Sequence, residues 1–319
     1  MIQPFRQAKR WVMQRWGEHL PSACGYCYHG VVDQRLDVRL ERNFHSTSVF
    51  RAQVQWLRKN PVCHLETLPQ ALAHGDVGRA SGFFLTFDDG YRNNLIAAEI
   101  LGADKVPWTL FVSTGVISRR CLLWTVEVSL LLLHGECEAI ELLNRSWSLK
   151  GRLNRESTFQ NIRSVLKTLP SALRLQIMTD LRAQFPRDES ARLMESFKSF
   201  QMLDWNEIRQ LSAAGVEIGS HGVNHELHHA GQDAAVRQQE LVDSKREIEH
   251  QLGKQCRYFA FPNGDFCAES ASEVEQAGYS LAFTVRGASV RADDIAMLLP
   301  RITPGGSVAR LRSQTRELS

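Results

Sequence analysis

The feature that most constrains this chain is a repeated rhythm of short apolar runs and amphipathic stretches. Ala23 to Tyr28, Gly82 to Phe87, Trp108 to Val112 and Val216 to Gly219 read as strands. Tyr258 to Phe261, Leu281 to Val285 and Met297 to Ile302 read the same way. Between them lie stretches of helical periodicity. Ser48 to Lys59 puts Phe50, Val54 and Leu57 on one face, and a second helix runs from about Asn93 to Leu101. Asp204 caps a helix reaching Ala214 before Gly215, and Gln232 to Leu252 is a long charged helix ended by Gly253. Strands alternating with helices predict a parallel α/β sheet or barrel. Residues 118–200 break the rhythm: they show no strand pattern and read as a helical insertion, Leu-rich first and then Arg-rich.

Composition narrows the partners. Of 319 residues, 38 Lys+Arg against 35 Asp+Glu leave a net charge of +3, with no long basic run, which argues against nucleic acid. Seven cysteines is an odd count, unlike an extracellular disulfide framework. Cys24 and Cys27 form a CxxC, but no second pair follows at zinc-ribbon spacing, and they read as small residues of a buried strand. The apolar run Cys121 to Leu133 is too short to span a bilayer. No secretory core precedes residue 21, since Arg6, Lys9, Arg10 and Arg15 interrupt the apolar residues. Residues 1–21 read as an amphipathic segment that would put Phe5, Ala8, Val12 and Trp16 on one helical face. It is expected to dock on the body of the protein, with contact to a membrane surface as the alternative. The expected location is the cytoplasm, in reach of the inner membrane face.

Three strand ends carry chemistry. Phe83 to Phe87 delivers Asp88, Asp89 and Gly90. Ligands in parallel α/β folds sit at the carboxyl ends of strands, and two adjacent carboxylates there repel unless a cation is near. Asp-Asp-Gly alone is also ordinary turn chemistry. Val216 to Gly219 delivers Ser220, His221, Gly222, Val223, Asn224 and His225, part of a group of four histidines that ends in His228 and His229. Two histidines and a carboxylate with a position left for water form a catalytic zinc arrangement. His228 and His229 are expected in the loop beside the site, outside the ligand set. Tyr258 to Phe261 ends in Pro262, Asn263 and Gly264, a turn whose N–H groups can meet a developing oxyanion.

Together these segments resemble the polysaccharide deacetylase family, the NodB-homology or carbohydrate esterase family 4 group. Thr86-Phe87-Asp88-Asp89-Gly90 is similar to its first motif, Ser220 to His225 to its second, and Phe259 to Gly264 to a variant of its third. Tyr28-His29-Gly30-Val31, Leu203 to Glu207 and Leu299 to Ile302 resemble the subgroup that modifies exopolysaccharides. The resemblance covers roughly residues 22–117 and 201–306.

The resemblance implies an irregular (β/α) barrel of about seven parallel strands over 22–319, interrupted by the insertion at about 118–200. It implies a metal-dependent hydrolase that removes an N-acetyl group from an amino sugar in a polysaccharide, lipopolysaccharide or glycan precursor. Asp88 takes the role of general base. Asp89, His221 and His225 take the metal, zinc first, with cobalt or nickel as substitutes. Pro262 and Asn263 meet the oxyanion or substrate. His29 is the expected acid, because no late Leu-x-His segment supplies one. Many members place an arginine two residues before the third-motif proline. Ala260 stands there, so Arg301 is expected to supply the guanidinium to the base, with Arg257 second. Gly222 replaces a usual Ser or Thr. The substrate is expected to be an N-acylated glycan or sugar-lipid. Deformylation or cleavage of another amide within the superfamily, and a non-catalytic glycan-binding barrel, are the alternatives.

Overall fold

A computed structural model of the chain describes residues 23–317. The N-terminal amphipathic segment expected at 1–21 lies outside them. The central sheet has six parallel strands in sequential order: β1 (Ala23–Tyr28), β2 (Gly82–Phe87), β3 (Trp108–Val112), β4 (Glu217–Ser220), β5 (Tyr258–Ala260) and β6 (Leu281–Phe283). Parallel neighbours need crossovers, and helices supply them. Among these are Asn94–Ala103 after β2 and Ala234–Leu252 after β4. The helix Trp205–Ala213 starts at a capping box in which Asp204 accepts from the Glu207 N–H and Glu207 accepts from the Asp204 N–H, worth about 1 kcal/mol.

The count of about seven strands resolves into six and a bridging segment. Residues 299–302 lie between β6 and β1, pairing Leu299 with Phe283 and Ile302 with Tyr26. Leu299 donates to Ala282 O and Ile302 to Gly25 O, so the sheet curls toward closure as an irregular α/β barrel. The strand expected at 297–302 is shorter because Ala296–Leu298 forms a single 3-10 turn. Pro300 lacks an N–H and cannot continue a ladder.

Alternation along the strands sorts side chains between two cores. Tyr26, Phe83, Leu85, Phe87, Leu110 and Ile218 face the helices. Ala23, Phe84, Phe111, Tyr258, Ala260, Phe283 and Leu299 fill the barrel interior. The inward set continues by twos to Cys27, Asp88, His221 and Arg301, so four chemical side chains reach the carboxyl-end mouth. Gly25 faces this interior: a Cβ there would stand 2.3 Å from the Phe84 ring, which occupies the space instead.

The insertion differs from the all-helical expectation. Ala139–Leu142 and Arg145–Ser148 form an antiparallel hairpin between helices Trp124–His134 and Arg152–Leu166. Its turn places Leu143 and Asn144 at φ 58° and 56°. Such a turn favours Asn-Gly or Asp-Gly, and Leu-Asn hides it from sequence inspection. The insertion packs its leucines, including Leu130, Leu131 and Leu132, with Phe159, Ile162 and Leu181 into a separate core. That core also takes in Phe44 and Tyr91 from the barrel loops, so the insertion forms one wall of the mouth. Among the described residues, no helix is long and apolar enough to cross a membrane.

Candidate active site

Each loop that carries a candidate ligand is pinned where its strand ends. The N–H of Asp88 donates to Tyr28 O, and that of His221 to Val112 O, both at 2.9 Å. Asp88 therefore continues the inward row of β2. Asp89 would diverge from it in an extended chain, but its φ of 77° turns the carboxylate toward β4. His225 and Asn263 also lie in the left-handed region, at φ 60° and 58°. Strained backbone of this kind persists where surrounding structure holds it, and functional sites are a common place.

Asp89 Oδ1 stands 3.3 Å from His221 Nε2 and 3.4 Å from His225 Nε2. All three residues are buried. His221 Nδ1 lies 2.7 Å from Ala260 O. A carbonyl only accepts, so Nδ1 carries the proton and the Nε2 lone pair faces the carboxylate. A His221 lone pair aimed at a buried carboxylate oxygen that has no hydrogen-bond partner, with His225 Nε2 beside it, calls for a positive charge between them. Two ligands of a tetrahedral ion with bonds of about 2.1 Å stand about 3.4 Å apart. The spacing therefore fits a divalent cation. Burial opposes charge on His221, but Asp88 and Asp89 outweigh it and raise its pKa. Burial lowers that of His225.

Asp88 is gripped by Arg301. Nη1 donates to Oδ1 and Nη2 to Oδ2, both at 2.7 Å, and Arg301 is fully buried. Nη1 also donates to Thr86 Oγ1, Nε donates to Thr284 O, and the guanidinium lies over the Phe111 and Phe283 rings. Burial pushes the Asp88 carboxyl up, but Arg301 and His221 outweigh it and bring it down to about 2. Arg257 instead pairs with Glu217 at the opening residues of β4 and β5, away from Asp88.

His29 reaches the same mouth. Its Nδ1 is buried without a partner, and a ring nitrogen lies within 4.8 Å of both Asp88 and the Cys27 thiol. Cys27 Sγ donates to Asp88 Oδ2 at 3.2 Å. The cysteine read as strand packing is thus also a neighbour of the carboxylate, though both CxxC side chains are buried as expected. Pro262 is buried and opens the turn. The Asn263 side chain is exposed, accepts from Lys167 Nζ and donates to Asp265.

Several functional neighbours escaped the sequence. Glu240 is buried and accepts from the N–H groups of Val223 and Asn224 and from Asn224 Nδ2. Burial pushes its carboxyl up, and these donors partly offset the shift. It shapes the loop between the two histidines, and Gly222 makes room for it: a Cβ there would meet Glu240 Oε2 at 2.5 Å, at a φ of 79°. Glu240 sits among other charges in a long helix, so nothing marked it. Trp124 from the insertion donates to His225 O at 3.0 Å. His228 is fully buried against Phe259 and Phe261 with both ring nitrogens unpartnered. His229 Nε2 lies 3.3 Å from Leu169 O. Neither joins the group of Asp89, His221 and His225.

A cavity of about 140 Å³ opens over Asp89, His225 and His29, walled by the insertion. It is lined by Phe44, Tyr91, Phe159 and Phe200 and by Arg39, Arg42, Arg163 and Lys167.

The family model for polysaccharide deacetylase matches residues 78–282, a span that holds Asp88, Asp89, His221, His225 and Asn263 and leaves out His29 and Arg301. No curated protein matches by sequence. Among solved structures, the fold is similar to the Streptococcus pyogenes deacetylase PplD in complex with acetate. The TM-score is 0.60 at 16% identity, covering 92% of this chain and 98% of that one. IcaB from Ammonifex degensii gives 0.57 at 17% identity, over 93% and 97%. A de-N-acetylase from Aggregatibacter actinomycetemcomitans gives 0.54 at 16%, over 93% and 99%. These likenesses agree on the barrel, and the family match spans more than half of the sequence: the chain belongs to the polysaccharide deacetylase family.

Proposed function

We propose that this glycan de-N-acetylase is a metal-dependent hydrolase acting on an N-acetylated amino sugar of a polysaccharide, lipopolysaccharide or glycan precursor. The observation that carries the reading is the convergence of Asp89, His221 and His225 beside a carboxylate clamped by Arg301. Asp89, His221 and His225 would hold the ion, zinc first, with cobalt or nickel as substitutes. Such an ion, when bound, acidifies a water and polarises the amide carbonyl.

The chain's own residues do the rest. Asp88, with its carboxyl at about 2, is ionised at neutral pH and ready to accept the proton of the attacking water. Arg301 fixes the plane of that carboxylate, and the Cys27 thiol adds a donor at Oδ2. The water oxygen adds to the amide carbon, and the Asn263 N–H is the proposed donor to the oxygen that gains charge. Breaking the C–N bond requires a proton on the leaving nitrogen. His29 is proposed to supply it, leaving acetate and a free amine. The test is acetate release from N-acetylglucosamine oligomers by the zinc-loaded chain. Release abolished by a chelator and restored by zinc supports the reading, and release indifferent to the chelator refutes it.

A further inference from the structure

Three cations on the cavity wall have no use in this chemistry. Arg163 and Lys167 lie one turn apart at the end of helix Arg152–Leu166, and Arg42 comes from the loop that precedes Phe44. All three line the cavity that holds Asp89 and His225. Arg39, also in the wall, is neutralised by a bidentate pair with Asp37. Among the described residues, Arg42, Arg163 and Lys167 have no comparable carboxylate partner within ion-pair distance. Lys167 donates to Asn263 Oδ1, and Arg163 faces the Phe159 ring at 5.8 Å. Among the described residues, Asp89 is the one carboxylate in the wall, and it is turned to the histidines.

Gathering like charges this way is unfavourable unless an anion joins them. Burial, then Arg163, lowers Lys167 to about 8, and Asp265 only partly opposes this. Burial and Arg42 lower Arg163 as well. A solvated helix end does not account for the arrangement, because Arg42 reaches the same wall from a different element. Guanidinium forks suit the oxygens of phosphate and carboxylate. The contact of Lys167 with Asn263 puts the cluster beside the turn that closes the site.

We infer that Arg42, Arg163 and Lys167 form a subsite for an oxyanion carried by the substrate, a phosphate or carboxylate on the acylated sugar or its neighbour. This rests on the deacetylase reading for the identity of the sugar, but the subsite can be read by binding alone.

The zinc-loaded chain is given four probes: N-acetylglucosamine 1-phosphate, its uncharged methyl glycoside, UDP-N-acetylglucosamine, and a disaccharide of N-acetylglucosamine and a uronic acid. At least one anionic probe is expected to exceed the methyl glycoside in kcat/KM by on the order of tenfold or more. That ratio is expected to collapse toward one in Arg163→Gln/Lys167→Gln and to shrink in Arg42→Gln, whose exposed position tolerates the change. Preference for the phosphate probes points to a nucleotide- or lipid-linked sugar, and preference for the uronate to an acidic polysaccharide. A ratio near one in the unsubstituted chain, or one that survives the double substitution, overturns the subsite. Calorimetric titration with the same probes reads it without turnover. If no probe is cleaved, the deacetylase reading fails, while tenfold tighter binding of an anionic probe that is lost in the variants still supports the subsite. Equal binding of charged and uncharged probes overturns it.

Discussion

Arg301 holds Asp88 by both terminal guanidinium nitrogens at 2.7 Å across 213 residues of sequence. The pair replaces an arrangement the third motif would supply from β5. There Ala260 contributes only its carbonyl, which fixes the tautomer of His221. The guanidinium arrives instead from the segment that bridges β6 and β1, on the inward row set by Leu299.

Arg301→Lys keeps the charge and loses the fork. Activity is expected to fall about 100-fold in kcat, with metal content unchanged. The sign of the pH effect follows from the pair. Arg301 lowers the Asp88 carboxyl, so weakening the contact raises its pKa. A base works above its pKa, so the acidic limb of the pH–rate profile is expected to move to higher pH. An unshifted limb contradicts the base assignment.

His29→Gln removes a ring with an unpartnered Nδ1 from the mouth. A lost general acid costs about 100- to 10,000-fold in kcat. Zinc stoichiometry is expected to stay at that of the unsubstituted chain. Steady-state kinetics beside metal analysis checks this, and a drop in zinc content would recast His29 as a ligand.

Glu240→Gln puts an amide where N–H groups of Val223 and Asn224 now converge on a carboxylate. The loop between His221 and His225 loses its anchor. Zinc affinity is expected to weaken about 10- to 100-fold, the usual effect of a partner that orients ligands. Competition with a chromophoric chelator measures it.

His228 is neutral in the fold, with burial lowering its pKa to about 3. In the unfolded chain an ordinary histidine protonates near 6.5. The folded pKa is the lower one, so the contribution is complete above about pH 6.5 and is lost as pH falls toward 3. By pH 5 this amounts to about 2 kcal/mol. His228→Leu is expected to flatten the loss of stability between pH 7 and 5 in denaturant melts, and parallel pH dependences would contradict the account.

Much of the fold was legible because burial on both faces makes each strand a continuous apolar run. β1, β2 and β3 lie where the pattern placed them, to the residue. The insertion hairpin was hidden because four-residue strands joined by Leu143-Asn144 carry little signal. In the site, Asp88 and His221 could be read because each follows a strand directly, and Asp89 and His225 because they stand in the same short motifs. The Arg301 pairing was expected from what Ala260 lacks. Glu240, Trp124 and the contact of Cys27 with Asp88 depend on tertiary approach from distant elements, and no local spacing announces them. The cations of the insertion showed in the sequence only as an Arg-rich stretch, and it is the fold that turns Arg163 and Lys167 to the cavity.

The central claim is a metal-assisted hydrolysis in which Asp88 takes the proton, and Asp88→Asn tests it most directly. Acetate and free amine are measured from an N-acetylated amino-sugar substrate, with bound zinc counted in the same samples. The account predicts zinc retained by Asp89, His221 and His225 and a rate lower by about 100- to 10,000-fold. Acetate release at an undiminished rate in Asp88→Asn would contradict it.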